Sequence, residues 1–113
     1  MKDCLFCKIA KGEVPSDTIY EDDKVIAFND INPQAPVHFL VIPREHIKSA
    51  DNITKENREL MGYIIHIASK LAKDKGLDSG YRIVNNCGSD GGQTVDHIHF
   101  HVLGKRNMKW PPG

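Results

Sequence analysis

Residues 94–104 read TVDHIHFHVLG, with His97, His99 and His101 at alternate positions and Ile98, Phe100 and Val102 between them. Side chains two apart in a strand share a face. A strand here therefore presents three imidazoles, and then Leu103, on one side and three apolar side chains on the other. The apolar side expects a core. The histidine side admits three uses. A solvent-facing polar stripe is the plainest, although Thr, Lys and Glu fill such stripes more commonly. A metal site is the second, but two residues add ~6.7 Å, so the outer pair stands ~13 Å apart and one ion cannot take all three. Catalysis is the third. Imidazole, with an unperturbed pKa near 6.5, is mostly neutral at pH 7. Neutral imidazole is a good nucleophile toward phosphorus, and a neighbouring one can donate to a phosphate oxygen or a leaving group.

Upstream, CGSDGGQT (87–94) carries Gly88, Gly91 and Gly92, which let backbone N–H groups approach an anion, while Gln93 and Thr94 add side-chain donors. A DG step between strands is also an ordinary hairpin signal; running straight into three facing histidines, it points to an anion. Further out, YRIVNN (81–86) and VHFLVIP (37–43) read as strands, the latter bracketed by Pro36 and Pro43. TIYEDDKVIAFND (18–30) reads as two short strands turning at Asp22-Asp23. Leu60, Met61, Ile64, Ile65, Ala68, Leu71 and Ala72 recur at helical spacing, with Thr54 as a plausible N-cap and Gly76 as the stop. CLFCKIAKGEVP (4–15) predicts a short helix closed by Gly12 and Pro15, and KRNMKWPPG (105–113) is too proline-rich for helix or central strand. Strands, one long helix and strands again, with short links, predict an α+β fold around an antiparallel sheet.

The 113 residues fit one domain, 1–113, large enough for a core without staples. Fifteen basic and fifteen acidic residues cancel, leaving no electrostatic footprint for nucleic acid or an anionic membrane, so an anionic ligand must be held by local donors. No apolar run reaches ~18 residues, and MKDCLFCKIAKGE lacks a signal-peptide core; a soluble cytoplasmic protein is expected. Cys4, Cys7 and Cys87 are an odd set for a disulfide framework. Cys4-x-x-Cys7 is half of a tetrahedral zinc site, or a redox pair, though no thioredoxin-like βαβ pattern surrounds it.

HIHFHVL (97–103) resembles the signature of the histidine-triad (HIT) superfamily. AFNDINPQAPVHFLVIPREHI (27–47), GYRIVNNCGSDGGQTVDHIHFHVLG (80–104) and the terminal WPPG (110–113) resemble its Hint branch, the histidine-triad nucleotide-binding proteins. The resemblance implies a HIT-like fold: a five-stranded antiparallel sheet with one long and one short N-terminal helix, paired in a homodimer into a ten-stranded sheet. It implies purine nucleotides such as AMP or GMP as ligands, and hydrolysis of AMP-linked phosphoramidates through a nucleotidyl-histidine. By match, His99 is the nucleophile and His101 contacts the α-phosphate, with Asn86, Gly92 and Thr94 as further phosphate contacts. His38 supports the catalytic histidine. Asp30 holds the ribose hydroxyls, as a two-oxygen acceptor can, although NDINP (29–33) also reads as a turn. Phe6, Ile9, Phe28, Ile31 and Leu40 match the walls around the base; they would equally suit a core edge.

Two departures stand out. Position 94 is Thr where Hint proteins more often have Ser, which keeps the hydroxyl and adds a methyl that bears on leaving-group choice. Cys-x-x-Cys is generally missing from animal Hint proteins and present in many bacterial relatives. In the related galactose-1-phosphate uridylyltransferases such cysteines join two histidines on a structural zinc; carried over, the set is Cys4, Cys7, His46 and His97. Competing functions are a dinucleoside polyphosphate hydrolase, a nucleotide-binding scaffold with incidental catalysis, and a plain zinc-binding protein.

Overall fold

A computed structural model describes residues 3–113. The elements are α1 (Leu5–Ala10), β1 (Thr18–Glu21), β2 (Val25–Asn29), β3 (Val37–Pro43), a 3-10 turn (Ala50–Asn52), α2 (Arg58–Asp74), β4 (Tyr81–Val84) and β5 (Phe100–Gly104). The strands form one antiparallel sheet in the order β1-β2-β3-β5-β4. No helix among the described residues is long and apolar enough to cross a membrane.

Period-two alternation sorts the sheet into two faces. Val25, Ala27, Phe39, Val41, Phe100 and Val102 pack with Ile64, Ile67, Ala68, Leu71 and Ala72 of α2 in the larger core. The opposite face carries Ile26, Phe28, Leu40 and Ile42, covered by Phe6, Ile9 and Ala10 of α1. A six-residue helix does not hold itself together in water. Burial of Phe6 and Ile9, at ~1.5–3 kcal/mol for each fully buried side chain, fixes it instead. The Cys4 sulfur accepts the Cys7 N–H at its start, and Gly12, with φ +77°, closes it in a conformation that suits glycine. Arg44 donates to the carbonyl of Ala10 at the end of α1, and to Asp22 O at 2.6 Å, so α1 is tied to the β1–β2 turn.

Several local expectations shift. The long helix starts at Arg58, not after Thr54: Thr54 accepts the Glu56 N–H and donates its own N–H to Asn57 Oδ1, forming a separate turn before the helix. Ile65, expected in the apolar stripe, is 39% exposed, and Ile67 takes the core position. The paired ladder of β5 begins only at Phe100, so His97 and His99 lie just ahead of it. Their segment is held otherwise, with Ile98 N–H on Ile47 O and Asn85 Nδ2 on His99 O at 2.9 Å. The burial alternation survives: Ile98, Phe100 and Val102 all belong to the α2-side core.

Asp22 joins α2 to the sheet. Its Oδ1 accepts Lys24 and Val25 N–H at 2.8 Å, and its Oδ2 accepts the hydroxyls of Tyr20 and Tyr63. Burial alone would raise its pKa, but the donations from Tyr63, Val25, Lys24 and Tyr20 outweigh burial and bring it to about 2. A depressed carboxylate stabilises the fold fully above its unfolded pKa near 3.9, and that stability is lost as pH falls toward 2. Asp22→Asn is therefore expected to cost about 1–2 kcal/mol at pH 7, after allowance for partial solvent screening. Denaturant melts of both proteins from pH 7 to 2 check this, with the gap closing at the acid end; a gap that stays constant would show that the charge contributes nothing.

Candidate active site and metal centre

The register of β5 places His101 opposite Leu40 on β3 and Val84 on β4, on the α1 side of the sheet. His99 is buried beside it, ring centroids 5.1 Å apart, and Phe6 of α1 meets the His99 ring edge-on at 5.1 Å. His99 Nδ1 lies 2.8 Å from the carbonyl of His97. A carbonyl only accepts, so Nδ1 carries the hydrogen and the lone pair of neutral His99 sits on Nε2.

The same reasoning runs through the next two histidines. The backbone N–H of Gln34 donates to His38 Nδ1 at 3.0 Å, which leaves the hydrogen of neutral His38 on Nε2. That Nε2 faces His101 Nδ1 at 2.9 Å and Asp30 Oδ2 at 3.4 Å. His101 Nδ1 is thus an acceptor, and His101 Nε2 carries its one hydrogen. Burial, then the nearby His99 and His38, hold the His101 pKa down to about 4, against a smaller opposite pull from Asp30. Burial likewise lowers His38. The tautomers thus set a lone pair on His99 Nε2 beside an N–H donor on His101 Nε2. His38 contacts His101 rather than His99.

Asp30 is both turn residue and site residue. Its Oδ1 accepts Asn32 N–H at 2.8 Å while Oδ2 faces the two histidines. Phe6, Ile9, Phe28 and Leu40 cluster on this face, with Phe6 and Phe28 edge-to-face at 5.6 Å. Ile31 stands apart from them, 99% exposed.

In the glycine loop, Asn86 Nδ2 donates to Gly91 O at 2.6 Å, and Gly88 and Gly92 have φ +73° and +80°. A Cβ at Gly91 would fall 2.4 Å from Cys87 O, so no larger residue fits. Gln93, expected to offer donors to a ligand, spends its amide on Lys48 O and Val95 O, and its oxygen on Gly88 N–H. It shapes the loop instead. Thr94 is exposed and lines a surface depression of about 620 Å³ with Cys4, His46 and Lys48; it makes no hydrogen bond to His99 or His101. Asn85, which fixes the His99 carbonyl 14 residues away, and Gln34, which fixes His38 through its backbone N–H and not its side chain, were not legible as site residues.

Cys4, Cys7, His46 and His97 converge, with one ligand atom from each lying within 4.8 Å of all the others. The sulfur–nitrogen separations are 3.2 Å (Cys7–His46), 3.4 Å (Cys4–His97) and 3.5 Å (Cys7–His97). Ligands on a tetrahedral zinc, at ~2.3 Å for sulfur and ~2.0 Å for nitrogen, stand about 3.5 Å apart. His97 Nε2–H donates to Pro43 O at 2.8 Å, which leaves Nδ1 free of hydrogen and aimed at the sulfurs, the partner arrangement of a metal-bound histidine. The donor set fits zinc. Asp30, His38 and His101 also converge, but there Gln34 N–H occupies His38 Nδ1, so the Nε2 that faces the cluster holds a hydrogen and not a lone pair. Within that trio His38 and His101 share the hydrogen bond, and Asp30 Oδ2 lies beside them at 3.4 Å from His38 Nε2.

Residues 11–108 match the model of the HIT domain. A 14 kDa zinc-binding protein of Zea mays is 49% identical over 111 residues, 96% of this chain and 87% of that one. Among solved structures, a HIT family hydrolase from Legionella pneumophila Philadelphia 1 superposes with a TM-score of 0.96 at 51% identity, covering 98% of this chain and 100% of that one. A histidine triad protein from Clostridium difficile gives 0.93 at 49%, covering 96% of each.

Proposed function

The chain belongs to the HIT domain family, and on that premise we propose that it binds purine nucleotides and hydrolyses AMP-linked phosphoramidates. The observation that carries this reading is the pairing of tautomers: a lone pair on His99 Nε2 next to an N–H on His101 Nε2. In the proposed reaction His99 Nε2 attacks the α-phosphorus. A phosphorus–nitrogen bond to His99 forms, the bond to the amine breaks, and the amine leaves with a proton taken from solvent, which the water of the second step later returns. His101 donates to a non-bridging phosphate oxygen. Water then attacks the phosphorus and frees His99 and AMP.

Asp30 receives the ribose hydroxyls through the oxygen that its turn leaves open. Phe6, Ile9, Phe28 and Leu40 wall the base, with exposed Ile31 closing over it. Asn86, Gly92 and Thr94 complete the phosphate contacts, GMP being bound in the same way. Zinc on Cys4, Cys7, His46 and His97 would be structural: it would join α1 to the segment ahead of β5 that carries His99, and the chemistry belongs to the histidines. Release of AMP from an adenosine phosphoramidate, measured beside equilibrium AMP binding, tests the proposal. Binding without turnover would favour a scaffold role.

The active unit is a homodimer. β4 is one of the two edge strands of the sheet, and an edge strand is a template for pairing with another chain. Arg82 on β4 donates to Lys109 O at 3.0 Å, so the tail starts at that edge, and Trp110 beyond it is 82% exposed. Across such an edge the tail reaches the partner's site, where Trp110 stacks on the leaving amine for about 1 kcal/mol. Deleting residues 109–113 is expected to leave the fold and AMP affinity intact and to reorder phosphoramidates that differ only in their amine. An unchanged ranking would remove the tail from specificity.

A further inference from the structure

We propose that Arg106 is a positioning residue that fixes the tautomer of His101 through Gln34 and His38. Its Nε donates to Gln34 O at 2.9 Å, across 72 positions of sequence. Gln34 N–H donates to His38 Nδ1, and His38 Nε2–H to His101 Nδ1. Each link is directional. A guanidinium only donates and a backbone N–H only donates, so His38 has no choice of tautomer while the 31–36 loop stays in place. His101 stays neutral at pH 7 and therefore has one N–H to give. Whether it points toward a ligand or back toward His38 depends on this chain of contacts.

The route to Arg106 is itself specific. β5 ends at Gly104, where a Cβ would strike Leu77 at 2.6 Å. Lys105 then adopts φ +68°, a left-handed conformation that costs a non-glycine residue, while its ammonium donates to Gly76 O at 2.9 Å. That turn delivers Arg106 to the loop between Asp30 and β3, the strand that carries His38. Within the loop, Asn32 N–H donates to Asp30 Oδ1, Asp30 N–H to His38 O and Gln34 Nε2 to Asn32 O; none of these three holds the Gln34 carbonyl that Arg106 binds.

The importance of the tautomer for turnover rests on the role of His101 in the proposed hydrolysis; the tautomer itself does not. Long-range nitrogen–proton NMR of histidine-labelled protein reads it without substrate. Wild type is expected to show Nε2–H on both His38 and His101. Arg106→Met, which keeps the stem and removes the donor, is expected to give mixed tautomers at both rings and to lower kcat by ~5-fold, the usual worth of one hydrogen bond, with KM little changed. Arg106→Lys restores a donor and should recover much of both signals. Pure Nε2–H rings in Arg106→Met, in a protein that melts like wild type, would overturn the proposal. Mixed tautomers with unchanged kcat would uphold the positioning chain and remove His101 as a donor in the reaction.

Discussion

Replacing His99 with alanine or glycine is expected to lower phosphoramidate turnover by about 10⁴–10⁶, the usual effect of removing a covalent nucleophile. Binding of AMP should persist. His99 is buried under Phe6, with Nδ1 committed to the carbonyl of His97, so no neighbouring side chain holds an equivalent lone pair. His101 cannot replace it, because its Nδ1 lies against His38 Nε2 and its other nitrogen bears the hydrogen. His97 is turned away, toward Cys4 and Cys7. Single-turnover kinetics and calorimetric AMP titration of the same variant separate lost chemistry from lost binding. Turnover within tenfold of wild type would require a different nucleophile.

Removing the metal is expected to have the largest effect on stability. α1 has six residues and packs through Phe6 and Ile9 on a sheet face of modest size. The four-ligand site would link it to His46, after β3, and to His97, before β5. Structural zinc contributes directly to folding free energy. Chelation should therefore cost several kcal/mol and lower the melting temperature by more than about 10 °C in a domain of this size. With α1 loosened, Phe6 leaves the His99 ring, so AMP affinity should fall as well. Elemental analysis of untagged protein purified without added metal gives the occupancy. Less than about 0.1 zinc per chain, with melting unaffected by chelator, would remove the metal from the account.

The elements whose residues speak through local periodicity were legible in advance. Alternation placed Ile98, Phe100 and Val102 toward the core and the three histidines on the other face, and the strand spacing alone ruled out one ion held by all three; His97 groups with Cys4, Cys7 and His46, while His99 and His101 do not. The helical stripe of α2 was legible except at Ile65, which lies at the margin of the buried arc and faces solvent. The gathering of Cys4, Cys7, His46 and His97 was available only through resemblance, since nothing local links residues up to 93 apart. The early start given to the last strand had a different cause: apolar–polar alternation reports which way side chains face, and not whether the backbone has a paired neighbour. His97 and His99 alternate correctly while Ile47 and Asn85 supply their segment's hydrogen bonds. Gln93 and Arg106 were hidden for the same reason, because a polar side chain's partner is decided by the folded loop and not by its neighbours in sequence.

Covalent attachment of the nucleotide to His99 is the central claim, and trapping the intermediate tests it most directly. Protein mixed with an adenosine phosphoramidate, quenched in base within one turnover and digested, is examined by mass spectrometry for peptides that have gained an adenylyl group. The mechanism predicts a single modified site at His99 that forms before free AMP accumulates and is absent from His99→Ala. An adduct on another residue, or AMP release with inversion at phosphorus and no adduct at any time, would contradict it.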